Sequence, residues 1–309
     1  MKKVFIDGSA GTTGLRIYER LSERKDLQIV TLPEAYRKDL SARKDALNSV
    51  DVAFLCLPDD AAREAVSMIE TPSVTVIDAS TAHRTLPEWA YGFPELSSAF
   101  EKKIFHSNRI AVPGCHASGF IALVYPLIEA GLLDEKALLT CHSITGYSGG
   151  GKKMIAEYEG AERSPLLDAP RQYALGQQHK HLKEMQGITG LAEAPIFCPI
   201  VSDFYSGMAV TVPLFNSQLL KGNAGTIQEI YKEKYQGEIV RYTDTVDEHG
   251  FLSGKALYGK DGMAIGVAGN DERILLLATY DNLGKGASGA AIECMNLKIG
   301  ANRTEGLIL

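Results

Sequence analysis

Three glycines near the start of the chain constrain its fold more than any other residues: Gly8, Gly11 and Gly14, within Gly8-Ser9-Ala10-Gly11-Thr12-Thr13-Gly14. The apolar run Val4-Phe5-Ile6 precedes them, and Leu15, Ile17, Tyr18 and Leu21 follow at helical spacing. Strand, glycine turn and amphipathic helix together make a cradle for a pyrophosphate. Gly8 permits the tight turn, Gly11 lets the backbone approach the phosphates, and Gly14 allows close helix–strand packing. The N–H groups at the helix start, with Ser9, Thr12 and Thr13 around them, then face the anion. The spacing is Gly-x-x-Gly-x-x-Gly rather than Gly-x-Gly-x-x-Gly, and no Lys-Ser/Thr follows to make a P-loop.

More strands follow at the spacing of a parallel sheet. Residues 27–32 form a second strand, and the acidic residue that grips a ribose 2′-hydroxyl is expected about 20 residues past the glycines. Glu34 stands near that place, but Arg37-Lys38 follow closely and suit a 2′-phosphate, which favours NADP over NAD. Residues 52–57 and 74–78 are further strands, each ending in a polar loop. Alternating strands and helices predict a Rossmann-type, doubly wound parallel sheet of the α/β class. Ligands of such sheets lie at the carboxyl ends of strands, so Ser80 and Arg84 are placed to touch one.

Composition narrows the function classes. A chain of 309 residues suggests two domains, and 45% hydrophobic with 23% charged residues excludes a disordered one. The net charge of −6 leaves no electrostatic footprint for nucleic acid. No apolar run approaches the roughly 20 residues that cross a bilayer, and the first residues lack a signal-peptide core. No membrane partner is expected, and the expected location is the cytoplasm. The five cysteines are scattered, with no Cys-x-x-Cys pair and no zinc-ligand spacing, so neither disulfides nor a metal is expected. Four of them read as reduced, buried thiols.

Cys115 differs from the others. Residues 109–119 run from a strand through Pro113-Gly114 into Cys115-His116-Ala117-Ser118-Gly119 and an apolar helix. A cysteine at the positive end of a helix has its thiolate favoured. Its expected acid/base partners are His179 and His181, which precede a helix start and would share a face if extended. Glu184 is placed to orient His181 or to meet substrate, unless it is a solvated charge. The other histidines, His83, His106, His116, His142 and His249, read as structural, although His116 adjoins Cys115.

The glycine loop, Pro113-Gly114-Cys115, Ser143-Ile144-Thr145-Gly146-Tyr147-Ser148-Gly149-Gly150-Gly151 and His179-Lys180-His181 occur in this order. Together they resemble the N-acetyl-γ-glutamyl-phosphate reductases, and Cys115-His116-Ala117-Ser118 is similar to the shorter of the two types. Asp78-Ala79-Ser80-Thr81-Ala82-His83-Arg84 is similar to the family's Asp-Leu-Ser-x-x-Phe-Arg segment, with His83 in place of Phe. The wider superfamily includes aspartate-semialdehyde dehydrogenase, whose cysteine follows Asn rather than Gly114.

The resemblance implies NADPH-dependent reduction of N-acetyl-γ-glutamyl phosphate to the γ-semialdehyde through a thioester on Cys115. It also implies a site for the nicotinamide near Gly149 and Asn282, and substrate contacts from Arg84 and Tyr173. Residues 1–114 would form the NADP-binding domain, completed by a C-terminal helix within 285–309. Residues 115–284 would form an α+β catalytic and dimerisation domain with a mixed sheet, on which family members form dimers or tetramers. The rival readings are an aspartate-semialdehyde dehydrogenase, a cofactor-free cysteine hydrolase and a non-catalytic NADP-sensing module.

Overall fold

The computed structural model describes residues 1–309, which divide into two compact units. One comprises Met1–Pro113 with Ala287–Leu307, and the other Gly114–Gly286 with Ile308–Leu309.

The first unit alternates strands and helices: β1 (Lys2–Asp7), α1 (Thr12–Ser22), β2 (Leu27–Val30), α2 (Leu40–Asn48), β3 (Val52–Leu55), α3 (Asp59–Ser67), β4 (Thr75–Asp78), β5 (Ala90–Tyr91), α4 (Ser98–His106) and β6 (Arg109–Ala111). The sheet order is β2-β1-β3-β4-β6-β5, with every neighbouring pair parallel. Helices cover both faces, so β3 and β4 are buried throughout, and β3 reads as an unbroken apolar run. Val4, Ile6, Phe54 and Ile77 pack on one side, and Phe5, Ala53, Leu55 and Val76 on the other. The strand order reverses between β1 and β3, the switch point where such sheets bind ligands.

The second unit begins with α5 (Cys115–Glu129) and continues through β7 (Thr140–Gly146), α6 (Gly151–Glu159), β8 (Arg171–Gln172), α7 (His181–Thr189), β9 (Ile196–Ser202), β10 (Met208–Phe215), α8 (Ala224–Lys234), β11 (Val240–Tyr242), β12 (Met263–Gly269) and β13 (Arg273–Tyr280). Its mixed sheet has the order β11-β12-β13-β10-β7-β9-β8. Helices α5 and α8 lie on one face, and α7 packs against α5. The period-two alternation turns Ile144, Ile196, Phe215 and Leu275 outward on the strands, all exposed.

A wide turn at Gly284–Ser288 leads into α9 (Gly289–Ile299), a helix of the first unit. Ala290, Ala291, Ile292 and Met295 join Ile104 and Ile110 in its core. No helix is long and apolar enough to cross a membrane.

Candidate active site

In the first unit the glycine loop has the geometry that its spacing requires. Gly8 has φ +85°, and a Cβ there would lie 2.3 Å from the Cys56 carbonyl oxygen, immediately after β3. A Cβ on Gly14 would lie 2.4 Å from the Gly8 carbonyl oxygen. Gly11 caps α1, and Thr12 and Thr13 form its first residues. The cradle is therefore built from backbone that side chains would fill, which is what a pyrophosphate needs.

Beside it lies a cavity of about 580 Å³, lined among others by Gly8, Ser9, Glu34, Arg37 and Lys38. Arg43 on the same wall is committed elsewhere, to Asp7 at 2.9 Å and Glu64 at 3.1 Å. Burial pushes the Asp7 carboxyl above the usual carboxylate range, despite the pull of Arg43. Arg37 and Lys38 remain as the cavity's uncommitted cations.

The strand-end residues of this unit form a network of their own. Ser80 Oγ donates to Asp78 at 2.7 Å, and His83 Nδ1 meets the same carboxylate oxygen at 2.6 Å. The His83 ring stacks on Trp89, with centroids 4.1 Å apart, so it fills an aromatic place with a polar ring. Arg84 is buried and donates to the Val112 and Ala79 carbonyls at 2.8 and 3.1 Å. These hydrogen bonds brace the loop after β4.

Cys115 is the first residue of α5, with Gly114 as the helix cap. Its surroundings are fixed by residues far away in sequence. The Gly114 N–H donates to Glu184 Oε1 at 2.7 Å, and the Tyr280 hydroxyl donates to the Cys115 carbonyl at 2.5 Å. That hydroxyl also accepts from the Gly119 N–H at 3.0 Å. A Cβ on Gly286 would lie 3.1 Å from Cys115 Cβ, so a glycine backbone passes directly over the nucleophile's stem. The positive end of α5 favours the thiolate. By contrast, burial pushes the Cys56 and Cys141 thiols up, which leaves them inert.

Several expectations need correction here. His179 and His181 do not share a strand face: His181 opens α7, and His179 lies two residues before it. Their rings meet edge to face with centroids 4.6 Å apart, and His179 Nδ1 accepts from the His181 main-chain N–H at 3.2 Å. That bond leaves the Nε2 edge of His179 to carry a proton. Glu184 is not a solvated charge but is buried, holding the cap of α5. Gly149 and Gly150 lie in a tight turn, Tyr147–Gly150, that passes straight into α6. Asn282 is buried and doubly bonded, accepting from the Gly207 N–H at 2.9 Å and donating to Ser148 Oγ at 3.0 Å. A Cβ on Gly149 would stand 3.5 Å from its amide nitrogen, so the two residues are neighbours.

His116, read from the sequence as structural, stands at the centre of the cluster. Its ring centroid lies 5.9 Å from that of His179 and 5.6 Å from that of His181. Its Nδ1 meets Ser143 Oγ and its Nε2 meets the Tyr173 hydroxyl, each at 2.7 Å. Burial pushes its pKa from 6.5 down to about 3, helped by the neighbouring His179. Burial also raises Tyr173, with the charge of Cys115 adding to it. Gln177, another residue that the sequence did not mark, has φ +53°. It clamps the Phe197 main chain with both ends of its amide, at 2.7 and 2.9 Å. Phe197 packs edge-on against both His116 and His179.

The depressed His116 value sets a stability slope. The folded protein takes up this proton only near pH 3, whereas the unfolded chain takes it up near 6.5. The stabilisation is therefore complete above pH 6.5 and is lost as pH falls towards 3, by about 1.4 kcal/mol per pH unit. Urea unfolding at pH 7 and 5.5 is expected to show His116→Gln losing about 1.4 kcal/mol less than wild type over that interval. Equal losses would contradict the buried neutral imidazole.

Residues 3–103 match the family described as semialdehyde dehydrogenase, NAD binding domain, and residues 115–282 match semialdehyde dehydrogenase, dimerisation domain. The chain is 45% identical to N-acetyl-gamma-glutamyl-phosphate reductase 2 of Pseudomonas putida, over 98% of each chain. It is 44% identical to the protein of the same name from Nostoc sp., over 99% of each. Among solved structures, aspartate semialdehyde dehydrogenase II of Vibrio cholerae superposes with a TM-score of 0.72 at 17% identity, over 97% of this chain and 98% of that one. The aspartate semialdehyde dehydrogenase of Candida albicans, solved with NADP, gives 0.70 at 16%, over 97% and 99%. At such identities these two structures bear on the fold alone.

Proposed function

The chain belongs to the N-acetyl-γ-glutamyl-phosphate reductases of the semialdehyde dehydrogenase family, and on that premise we propose that Cys115 carries its reaction as a thioester. The enzyme is an oxidoreductase that reduces N-acetyl-γ-glutamyl phosphate to N-acetylglutamate γ-semialdehyde and phosphate. The placement of Cys115 at the positive end of α5, near enough to Tyr173 to act on its hydroxyl and followed by His116, whose ring lies 5.9 and 5.6 Å from those of His179 and His181, is the observation that carries the route.

The thiolate of Cys115 attacks the acyl carbon, the carbon–oxygen bond to phosphate breaks, and inorganic phosphate leaves with that electron pair. Amides of the first turn of α5, among them those of His116 and Ala117, point off the helix end and stabilise the oxyanion. A bound nicotinamide cofactor supplies hydride to the thioester carbonyl. Cys115 departs as thiolate when the tetrahedral oxyanion collapses, and His179 or His181 exchanges the protons. Glu184 and Tyr280 hold the helix start still while this happens.

For the cofactor, the residues present fit a dinucleotide: the glycine cradle takes the pyrophosphate, and Arg37 and Lys38 suit a 2′-phosphate. The preferred cofactor is accordingly NADPH, with Gly149 and Asn282 assigned to the nicotinamide end. Arg84 is assigned to the substrate's anionic groups. The protein acts as a homo-oligomer, which the exposed Ile144, Ile196, Phe215 and Leu275 on the mixed sheet support.

The test runs the reaction in reverse, as phosphate-dependent reduction of NADP by N-acetylglutamate γ-semialdehyde, with aspartate semialdehyde as competitor. Turnover of the acetylated aldehyde is expected. Turnover of aspartate semialdehyde alone would move the chain to the sister enzyme, and cofactor binding with neither reaction would make it a sensor.

A further inference from the structure

His116 follows Cys115 directly in the sequence, and both nitrogens of its ring are engaged. It is 3% exposed, and each ring nitrogen has a partner at 2.7 Å: Ser143 Oγ on one side and the Tyr173 hydroxyl on the other. A neutral imidazole has one donor and one acceptor, and here both are spent. His116 therefore has no ring nitrogen with which to reach substrate. Its effect on the reaction must pass through a partner.

That partner is Tyr173. Its main-chain N–H donates to the Pro199 carbonyl at 3.0 Å, so the residue is pinned at the backbone as well as at the hydroxyl. The next residue, Ala174, has φ +52°, where the chain leaves β8 towards His179. The Tyr173 ring lies 6.0 Å from that of His179, and its hydroxyl feels the charge of Cys115. Without a partner on its oxygen the ring could turn about its side-chain torsions. With His116 it cannot.

We propose that His116 is a positioning residue that fixes the Tyr173 hydroxyl beside Cys115 and the His179–His181 pair, with Ser143 holding the imidazole in its turn. The inference rests on the reading of Cys115 as nucleophile. Hydroxyl, imidazole and serine form one hydrogen-bonded chain from the residue after β8 through the first turn of α5 to β7. Tyr173 thereby reaches the site with its oxygen fixed in place and one bonding direction already occupied. The chain stays neutral at working pH, because burial and His179 keep the proton off His116. It therefore adds no second positive charge beside the histidines that exchange protons.

Side-chain amides separate this role from its rivals, because glutamine places an amide near the Nε2 position of histidine and asparagine near Nδ1. His116→Gln keeps a partner for Tyr173, and His116→Asn keeps only the link to Ser143. In the aldehyde assay, His116→Asn and Tyr173→Phe are each expected to lose about 10- to 100-fold in kcat/KM. His116→Gln should stay within about threefold of wild type, and the double variant His116→Asn/Tyr173→Phe should be no worse than either single.

If His116→Gln is as damaged as His116→Asn, the imidazole transfers a proton itself and the positioning role is wrong. If folded His116→Asn matches wild type, the side chain is only packing. Should the wild type reduce neither aldehyde, the functional reading fails, and a second arm still decides this one. Histidine labelled with nitrogen-15 is expected to show one imidazole that does not titrate between pH 8 and 5, with one of its two nitrogens shifted by Tyr173→Phe. Titration of every histidine in that range, or no shift, overturns the proposal.

Discussion

Cys115→Ala is expected to abolish turnover, with a loss of about 10⁴- to 10⁶-fold, while cofactor affinity stays within about twofold of wild type. The size follows from what the residue does. Without the thiol no thioester forms, and hydride has only the acyl phosphate itself to attack. Two bonds that hold the helix start are to backbone and survive the loss of the sulfur: Glu184 takes the Gly114 N–H and Tyr280 the Cys115 carbonyl. The alanine variant therefore keeps its helix start and folds, and the loss reads as chemistry. Steady-state kinetics beside dinucleotide fluorescence titration checks both halves. A variant retaining a tenth of wild-type kcat would rule out the covalent route.

Gly8→Ala is the second large effect, and here folding and binding fail together. Alanine at φ +85° is strained, and its methyl group would stand 2.3 Å from the Cys56 carbonyl oxygen. The neighbour is backbone at the end of β3, which is buried throughout and cannot retreat cheaply. The loop must therefore leave the switch point. We expect a loss of about 3 kcal/mol in stability and at least about 100-fold in dinucleotide affinity. Thermal unfolding and fluorescence titration measure the two. An unchanged affinity would place the cofactor elsewhere.

The features that the sequence disclosed are those whose physics is local. The glycine loop is one strand, one turn and one helix, and its demands are written in consecutive residues. Strands such as β12 and β13 carry their own apolar and β-branched signature, and Cys115 declares itself by following Pro113-Gly114 at the head of an apolar helix. The mixed second sheet was expected from the resemblance, although its order was not, because pairing across β10, β13 and β7 depends on packing.

The support of the site was not legible for the same physical reason. Tyr173 reaches His116 across 57 residues and Glu184 reaches Gly114 across 70. Nothing in either neighbourhood marks the contact. His116 looked like an ordinary buried histidine, which in protonation it is; its role comes from the partners that tertiary folding delivers. His179 and His181 were recognised as a pair ahead of a helix start, but that the helix opens at His181 itself was not legible, because it lacks a Ser, Thr, Asp or Asn cap. Gln177 carried no signal at all, since a glutamine in a left-handed conformation clamping a distant main chain has no pattern in sequence.

The thioester can be observed directly. Wild-type enzyme mixed with N-acetyl-γ-glutamyl phosphate in the absence of dinucleotide, quenched in acid and digested, should yield the peptide containing Cys115 with one N-acetylglutamyl group attached, together with one equivalent of phosphate. Cys115→Ser should release no such burst, and adding NADPH before the quench should discharge the wild-type adduct as aldehyde. An unmodified Cys115 peptide from enzyme that turns over normally when dinucleotide is supplied would contradict the account.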